Sequence, residues 1–196
     1  MKILLLSDKE DPFLWDHYRP GNLDGIDLIL SCGDLKANYL SFLVTMGRAP
    51  LCYVHGNHDL NYEQAPPEGC DCIEDSLYRF GDLRILGLGG CPVYSRQSYQ
   101  YTERQMRVRI KRLRWKLQRA GGFDILLTHA PAAGWGDGED FAHRGFECFN
   151  DLIERYRPRY HVHGHVHLNY GHDIPRTLLH GDTTVINAWG RYILEI

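Results

Sequence analysis

The chain has 196 residues, 43% of them hydrophobic and 24% charged, which is ordinary for a soluble globular protein with a substantial core. Its formal net charge of −3 provides no bulk attraction to nucleic acid or to a membrane, and no apolar run approaches a membrane span. The opening MKILLLSD is too short for a signal peptide, and the six cysteines include no CxxC pair. We therefore expect a single cytoplasmic domain over residues 1–196, with free thiols.

The first half of the chain alternates short apolar runs with helix-like segments, which predicts an α/β fold. Buried strands are predicted at residues 2–6 (KILLL), 27–31 (DLILS), 51–54 (LCYV) and 83–90 (LRILGLGG). The segment DPFLWDHY predicts a helix with Asp11 as its N-cap and Pro12 in its first position. A second helix is predicted from about Ala37 to Gly47, and a loop is predicted at residues 60–69.

The second half contains a long basic helix. One apolar stripe on this helix is formed by residues that recur every three or four positions: Met106, Ile110, Leu113, Leu117 and Ala120. Residues 104–119 carry eight of the 22 Lys and Arg residues, so the remainder of the chain is acidic. Strands are predicted at residues 123–129 and 159–163, a helix at 146–156, and an apparent hairpin at 183–196.

Polar side chains follow five of the predicted strands at the points where those strands end. They are Asp8, Glu10, Asp34, Asn57, His58, His129, His165 and His167. The carboxyl ends of strands in an α/β sheet lie at one edge, so we expect these side chains to lie together. Oxygen and imidazole donors without thiolates suit Mn, Fe or Zn better than a structural zinc cage. Two metals bridged by one carboxylate would use all of these donors, which are too many for one ion.

The order of these motifs, D-x-x, GD, GNHD, H and GHxH, resembles that of the calcineurin-like metallophosphoesterases and runs from Asp8 to His167. The resemblance implies a four-layer αββα sandwich with a dinuclear metal site at the carboxyl edge of its strands. By motif, Asp34 would bridge the metals, the first metal would bind Asp8 and His167, and the second would bind Asn57, His129 and His165. His58 would bind neither metal and would face the leaving group.

Glu10 departs from the pattern of this family. The family's first motif is usually Asp-x-His, whereas this chain has Asp8-Lys9-Glu10. One interpretation is that Glu10 still binds the first metal and hardens the site toward Mn or Fe. The other is that Glu10 complements the dipole of the helix predicted to begin near Pro12. The sequence leaves both interpretations open.

Other histidines lie close to the last motif. His161 and His163 fall within a predicted strand, which favours packing or hydrogen bonding in the sheet over chemistry. His172 lies in a predicted loop that could overhang the site.

The predicted reaction is hydrolysis of a phosphodiester by a hydroxide that bridges two divalent ions, of which Mn is favoured. A nucleotide is one candidate substrate. The chain has little room for a cap beyond the loops at 60–70, 91–101 and 131–144, and an open site favours a small diester. The acidic residues of the last loop either line the entrance or only solvate the loop. The sequence leaves the oligomeric state open.

Two alternative functions are weighed. The helix at 104–119 could bind a nucleic-acid backbone and make the protein a nuclease, through Arg104, Arg107, Arg109, Lys111, Arg112, Arg114, Lys116 and Arg119. A solvated basic face that balances the acidic body, or an interface with an acidic partner, is favoured over this, because Trp115 is the only aromatic residue in that segment. The other alternative is a catalytically weak protein-binding scaffold of the same fold.

Overall fold

The computed structural model describes residues 1–95, 97–170 and 174–196. Within these residues the strands are β1 (Lys2–Ser7), β2 (Leu28–Ser31), β3 (Leu51–Tyr53), β4 (Asp71–Cys72), β5 (Ser76–Phe80), β6 (Leu83–Leu88), β7 (Cys91–Pro92), β8 (Gln100–Tyr101), β9 (Ile125–Thr128), β10 (Tyr160–His163), β11 (Thr177–His180), β12 (Thr183–Asn187) and β13 (Gly190–Glu195). The α-helices are α1 (Ala37–Gly47), α2 (Glu103–Ala120) and α3 (Glu147–Tyr156), and a short 3₁₀ helix spans Leu60–Glu63.

Two mixed sheets form the centre of the molecule. The first has the strand order β13-β1-β2-β3-β4, in which β1 to β4 run parallel and β13 pairs antiparallel with β1. The second has the order β11-β12-β10-β9-β6-β5, in which the four central strands run parallel and the two edge strands antiparallel. Strands β7 and β8 form a separate two-stranded ribbon.

Three apolar layers hold the sheets and helices together. Side chains of both sheets, such as Ile3 and Ile125, share one buried cluster between the sheets. The opposite faces of the sheets pack against helices, as Leu4 does beside α1 and Leu126 beside α2 and α3. Because both faces of β1 are covered, its sequence is a continuous apolar run rather than an alternating one. The predicted four-layer αββα sandwich is therefore confirmed.

Helix α2 covers the basic segment in which the sequence predicts a long helix. Thr102 and Gln105 form a capping box at its start, and Gly121 ends it in the left-handed conformation with φ 69°. Its stripe is buried at Met106, Leu113 and Leu117, each contributing about 1.5–3 kcal/mol of apolar burial. None of the helices in the described part of the chain is long and apolar enough to cross a membrane.

Arg109 does not belong to the solvent-facing basic surface of α2, where the sequence interpretation placed it. Its guanidinium is buried, pairs with Glu74 and donates to Asp75 Oδ1 at 2.8 Å and to the Gly89 carbonyl at 2.9 Å. A charge that is buried must be paired or hydrogen-bonded, and here these three partners meet that need. Arg109 thus joins α2 to the segments that flank the second sheet.

The helix predicted from Pro12 is wrong, because residues 12–17 form a series of turns. Asp11 does cap the segment, since its Oδ1 accepts from Phe13 N at 2.9 Å. The backbone bonds in the rest of the segment are irregular, and the Trp15 ring packs edge-on against Tyr39 and Phe42 of α1. So short a segment gains little from helix formation, and this packing decides its conformation instead.

The hairpin predicted for residues 183–196 is also wrong. Strand β12 pairs with β10 and β11 in the second sheet, whereas β13 pairs with β1 in the first. The chain crosses from one sheet to the other at residues 188–189, where Ala188 is buried between the sheets. Two adjacent apolar strands joined by a short turn therefore need not pair with each other.

Candidate metal centre

The site is formed where the carboxyl edges of the two sheets meet. Asp8, Asp34 and Asn57 follow β1, β2 and β3 of the first sheet. His129 follows β9 of the second sheet, and the loop after β10 carries His165 and His167. Each sheet therefore contributes three of these polar side chains.

Glycines allow the loops to approach this closely. A Cβ atom on Gly56 would lie 2.5 Å from Asp34 Cγ, and one on Gly164 would lie 2.5 Å from Asp8 Oδ2. Both distances are far below ordinary van der Waals contact, so any side chain at these positions would push the polar residues away. This close packing therefore requires glycine at positions 56 and 164.

Three of the polar residues have strained backbones. Asp8, Asp34 and His165 lie in the left-handed region, with φ of 62°, 56° and 67°. Such a conformation typically costs about 1–3 kcal/mol and persists only where the surroundings enforce it. Here His165 N donates to both carboxylate oxygens of Asp8, at 3.1 and 3.0 Å, and Asp34 N donates to Asp59 Oδ2 at 3.0 Å. Strain of this kind concentrates at functional sites.

Two buried imidazoles point unshared electron pairs at each other. His129 Nδ1 donates to the Cys32 carbonyl at 2.8 Å, and His165 Nε2 donates to the Ala142 carbonyl at 2.8 Å. A carbonyl can only accept, so in each neutral ring the other nitrogen carries no proton. Those two nitrogens, His129 Nε2 and His165 Nδ1, are 3.1 Å apart.

Oxygen acceptors converge on the same point. Asn57 Oδ1 lies 2.9 Å and Asp34 Oδ2 lies 3.4 Å from His129 Nε2. Burial lowers the pKa of His129 and of His165 to about 3, so neither ring supplies a second proton at neutral pH. Four electron-pair donors thus face one another with no hydrogen between them, an arrangement that a cation would satisfy.

The carboxylates have the same requirement for positive charge. Burial and then the neighbouring Asp34 raise the pKa of Asp8 to about 8, and burial raises the pKa of Asp34 as well. Ligand atoms of Asp8, Asp34 and His129 all lie within 4.8 Å of one another. The donor set is imidazole, amide and carboxylate, which fits divalent Mn, Fe or Zn.

His167 and His58 are placed at the rim of this cluster. His167 Nε2 lies 3.8 Å from Asp8 Oδ1, and its ring stacks on Tyr170 with centroids 4.7 Å apart. The backbone of His58 is held by Asp34 Oδ1, which accepts from His58 N at 2.7 Å, while its side chain is exposed. Both residues line an open cavity of about 350 Å³ together with Asp8, Asp34 and His165.

Glu10 lies next to the cluster but is not among its grouped ligand atoms in the described residues. Its Oε1 is 3.4 Å from Lys36 Nζ, and it lines a second cavity that His58 and Asp34 also line. The interpretation that Glu10 complements a helix dipole loses its basis, since no helix begins at Pro12. Metal binding by Glu10 stays a prediction.

Two supporting residues were not identified from the sequence. Tyr94 accepts a hydrogen bond from Asn57 Nδ2 at 2.9 Å and so turns Asn57 Oδ1 toward His129. Asp59 accepts from Gly56 N at 2.7 Å and from Asp34 N, which holds the GNHD turn. Asp59 is part of the GNHD motif, so its position was a signal that could have been used, whereas Tyr94 lies in a loop without any pattern.

The loop at residues 131–144 lines the entrance through His143 rather than through its acidic residues. Asp137 accepts from backbone amides of its own loop, and Asp140 accepts from Ala142 N at 2.9 Å. Asp140 also bonds His143 Nδ1 at 2.8 Å, and the His143 ring lies 5.3 Å from that of His165. The acids therefore shape the loop that carries His143 to the cavity.

The remaining histidines of the last motif lie outside the cluster. His161 and His163 are buried, and their rings bond Thr128 Oγ1 at 2.9 Å and the Gly164 carbonyl at 3.0 Å. Both contacts agree with the expectation of packing and hydrogen bonding within the sheet. His172 lies outside the described residues.

The fold and the order of these residues define a known family. The sequence model for the calcineurin-like phosphoesterases matches residues 8–169, and the chain belongs to this family. Members of this family typically bind divalent metal ions, and membership supports metal-dependent phosphoester hydrolysis in general.

Similar proteins agree with this assignment. The UPF0046 protein C25E10.12 of Caenorhabditis elegans is 28% identical over 189 residues, covering 81% of this chain and 63% of that protein. Metallophosphoesterase domain-containing protein 1 of Homo sapiens is 30% identical over 202 residues, covering 83% of this chain and 59% of that protein. The chain thus spans less than two thirds of the length of these relatives. The crystal structure of TT1561 of Thermus thermophilus has the same fold, with a TM-score of 0.61, 17% identity, and 96% of this chain and 88% of that chain covered.

Proposed function

We propose that this protein hydrolyses a phosphodiester with two divalent cations, of which Mn is favoured. The observation that carries the proposal is the convergence of unshared electron pairs from His129, His165, Asn57 and Asp34 with no hydrogen among them. In a neutral protein interior such groups repel one another, and bound cations remove that repulsion.

The proposed ligands divide between the two ions as the family pattern implies. One ion would be held by Asp8, Asp34 and His167, with Glu10 as a further candidate, and the other by Asp34, Asn57, His129 and His165. When bound, the ions neutralise phosphate oxygens and lower the pKa of an attacking water toward neutrality.

The side chain of His58 is proposed to donate a proton to the leaving oxygen. Its backbone is fixed through Asp34 and its exposed side chain lines the open cavity, as a group that must reach substrate requires. General acid catalysis of this kind typically contributes a factor of about 10²–10⁴. The carbonyls of Cys32 and Ala142 keep the two buried imidazoles oriented with their free nitrogens toward the ions.

A diester is favoured over a monoester because of the charge of the cavity. None of the described residues that line the cavity around Asp8, His165 and His167 is a lysine or an arginine. A monoester dianion carries one more charge than a diester, and beyond the two proposed ions these lining residues offer no Lys or Arg side chain to balance that extra charge. The open cavity likewise accommodates two ester groups.

A single domain in the cytoplasm remains our proposal for the chain. The six cysteines are free, and Cys32, Cys52, Cys91 and Cys148 are buried. Free thiols are the usual state in a reducing compartment.

The test compares bis(p-nitrophenyl) phosphate with p-nitrophenyl phosphate, with Mn²⁺ and after chelation. We expect metal-dependent turnover that is faster for the diester, and close to two ions per chain by elemental analysis. Glu10→Gln, with Lys36→Gln as the matched control, decides whether Glu10 contributes to the first ion. Two bound ions without turnover of either ester would contradict hydrolysis and favour a scaffold.

A further inference from the structure

A second cavity adjoins the candidate metal centre, and part of its polar lining has no role in the chemistry proposed above. It measures about 510 Å³, and its lining includes Glu10, Lys36, Asn38, His58 and Asn61. Among the described residues, Asp34 and His58 alone line both this cavity and the one beside Asp8. The two spaces therefore meet at the residue that is proposed to protonate the leaving oxygen.

Apart from His58, the polar side chains of this lining that bond no other group in the described residues are neutral amides. Lys36 is paired with Glu10, and the Asp59 carboxylate accepts two backbone amides. Asn38 and Asn61 are exposed, and neither side-chain amide bonds another group in the described residues. Each amide offers two donors and one acceptor, which is the chemistry that recognises hydroxyl groups.

The direction of the reaction sends the leaving group toward this space. In an in-line displacement the water oxygen bonds to phosphorus while the bond from phosphorus to the leaving oxygen breaks on the opposite side. The leaving oxygen takes a proton from His58, and the proton lost by the water returns to His58 through solvent. The departing alcohol must then lie beyond His58, where the second cavity opens.

We propose that the second cavity is the leaving-group site and that Asn38 and Asn61 select a neutral, hydroxyl-rich alcohol of nucleoside size. The inference rests on the proposed phosphodiester hydrolysis. A volume of about 510 Å³ lies within the range of roughly 300–1,000 Å³ that is usual for small-molecule sites. The Glu10–Lys36 pair at the wall presents opposite charges that cancel, so an anionic alcohol gains nothing there.

The test uses two methyl phosphodiesters that differ in the second alcohol, which is uridine in one and phenylethanol in the other. Chromatographic release of each alcohol gives kcat/KM, and we expect a preference for uridine of about tenfold, since one neutral hydrogen bond is worth a factor of roughly 2–12. Asn38→Leu and Asn61→Leu should each reduce this ratio severalfold. Gln118→Leu, on the exposed face of α2, is the matched control and should keep the ratio.

A wild-type ratio near one, or a ratio unchanged in both asparagine variants, overturns the proposal. Binding of free uridine, measured by saturation-transfer NMR, separates this proposal from the hydrolysis on which it rests. If no ester is hydrolysed but uridine binds and Asn61→Leu abolishes the binding, the site is upheld and the hydrolysis is not. If aryl diesters are hydrolysed but uridine neither binds nor is preferred, the leaving-group site is wrong and the hydrolysis stands.

Discussion

Replacing Gly164 by alanine tests the close approach of the two sheet edges. The added Cβ would lie 2.5 Å from Asp8 Oδ2 and 2.6 Å from Ser7 Cβ, and it would also overlap Ser7 Oγ. Ordinary contact begins at 3.4 Å, so the carboxylate must retreat by 0.9 Å (3.4 Å less 2.5 Å). Overpacking of this size costs roughly 1–3 kcal/mol, which for a chain of this length lowers Tm by about 2–12 °C.

The same displacement should reduce catalysis more than stability. A misplacement of about 1 Å at a reacting centre can lower kcat/KM by roughly 100-fold. Calorimetry and the aryl diester assay measure the two effects, and Ser7→Ala/Gly164→Ala is the control. Removing the Ser7 hydroxyl, whose bond to the Gly33 carbonyl is long at 3.3 Å, relieves part of the overlap and should restore part of the Tm. A Gly164→Ala protein with wild-type Tm and turnover would refute the packing argument.

Three further perturbations follow from the contacts described. His58→Ala should keep its metal content, and its turnover should fall by about 10²–10⁴-fold. Asp34→Ala should instead lose both ions. Metal loss from the His58 variant, measured by elemental analysis, would show that these roles are misassigned. Arg109→Met removes the guanidinium from the part-buried Glu74 carboxylate and leaves His55 as its remaining ionic partner, so urea unfolding should report a loss of roughly 1–3 kcal/mol. A loss no larger than that of the exposed control Lys116→Met would contradict the pairing. Turnover of a small diester should change less than about twofold when three residues of α2 are replaced by glutamine, namely Arg107, Lys111 and Arg114. Robust nucleic-acid cleavage that collapses in this triple variant would instead establish a nuclease.

The position of the site could be predicted from sequence because it depends on strand ends. Apolar runs locate the strands, and the parallel arrangement brings the residues after each strand to one edge. This rule alone groups Asp8, Asp34 and His129. In the structure the ligand atoms of these three residues lie within 4.8 Å of one another. The sequence could not show which ring nitrogen of His129 carries the proton, since this depends on a carbonyl 97 residues away.

The errors have a common physical origin in long-range contacts. Strand β13 pairs with β1, which lies nearly 190 residues earlier in the sequence. No local sequence pattern distinguishes this long-range pairing from a hairpin between β12 and β13. The segment after Asp11 has the capping residue and the proline of a helix start, yet Trp15 packs against α1 and the segment stays in turns. Arg109 has the same local spacing as its exposed neighbours and is buried only because Glu74 and Asp75 face it.

The crossing of the chain after β12 has a consequence for how the protein folds. Residues 2–72 form four of the five strands in the first sheet, but the partner on the other edge of β1 is β13, which comes after the whole second sheet in the chain. During synthesis, β1 therefore has an unpaired edge until residues 190–195 emerge, and an exposed apolar edge is prone to aggregation. The strands of the second sheet all lie within residues 76–187, whereas the first sheet needs both ends of the chain and is complete in no N-terminal or C-terminal fragment. Because the two sheets share one buried cluster, we expect them to unfold in one cooperative transition and split fragments to recover the fold only when mixed.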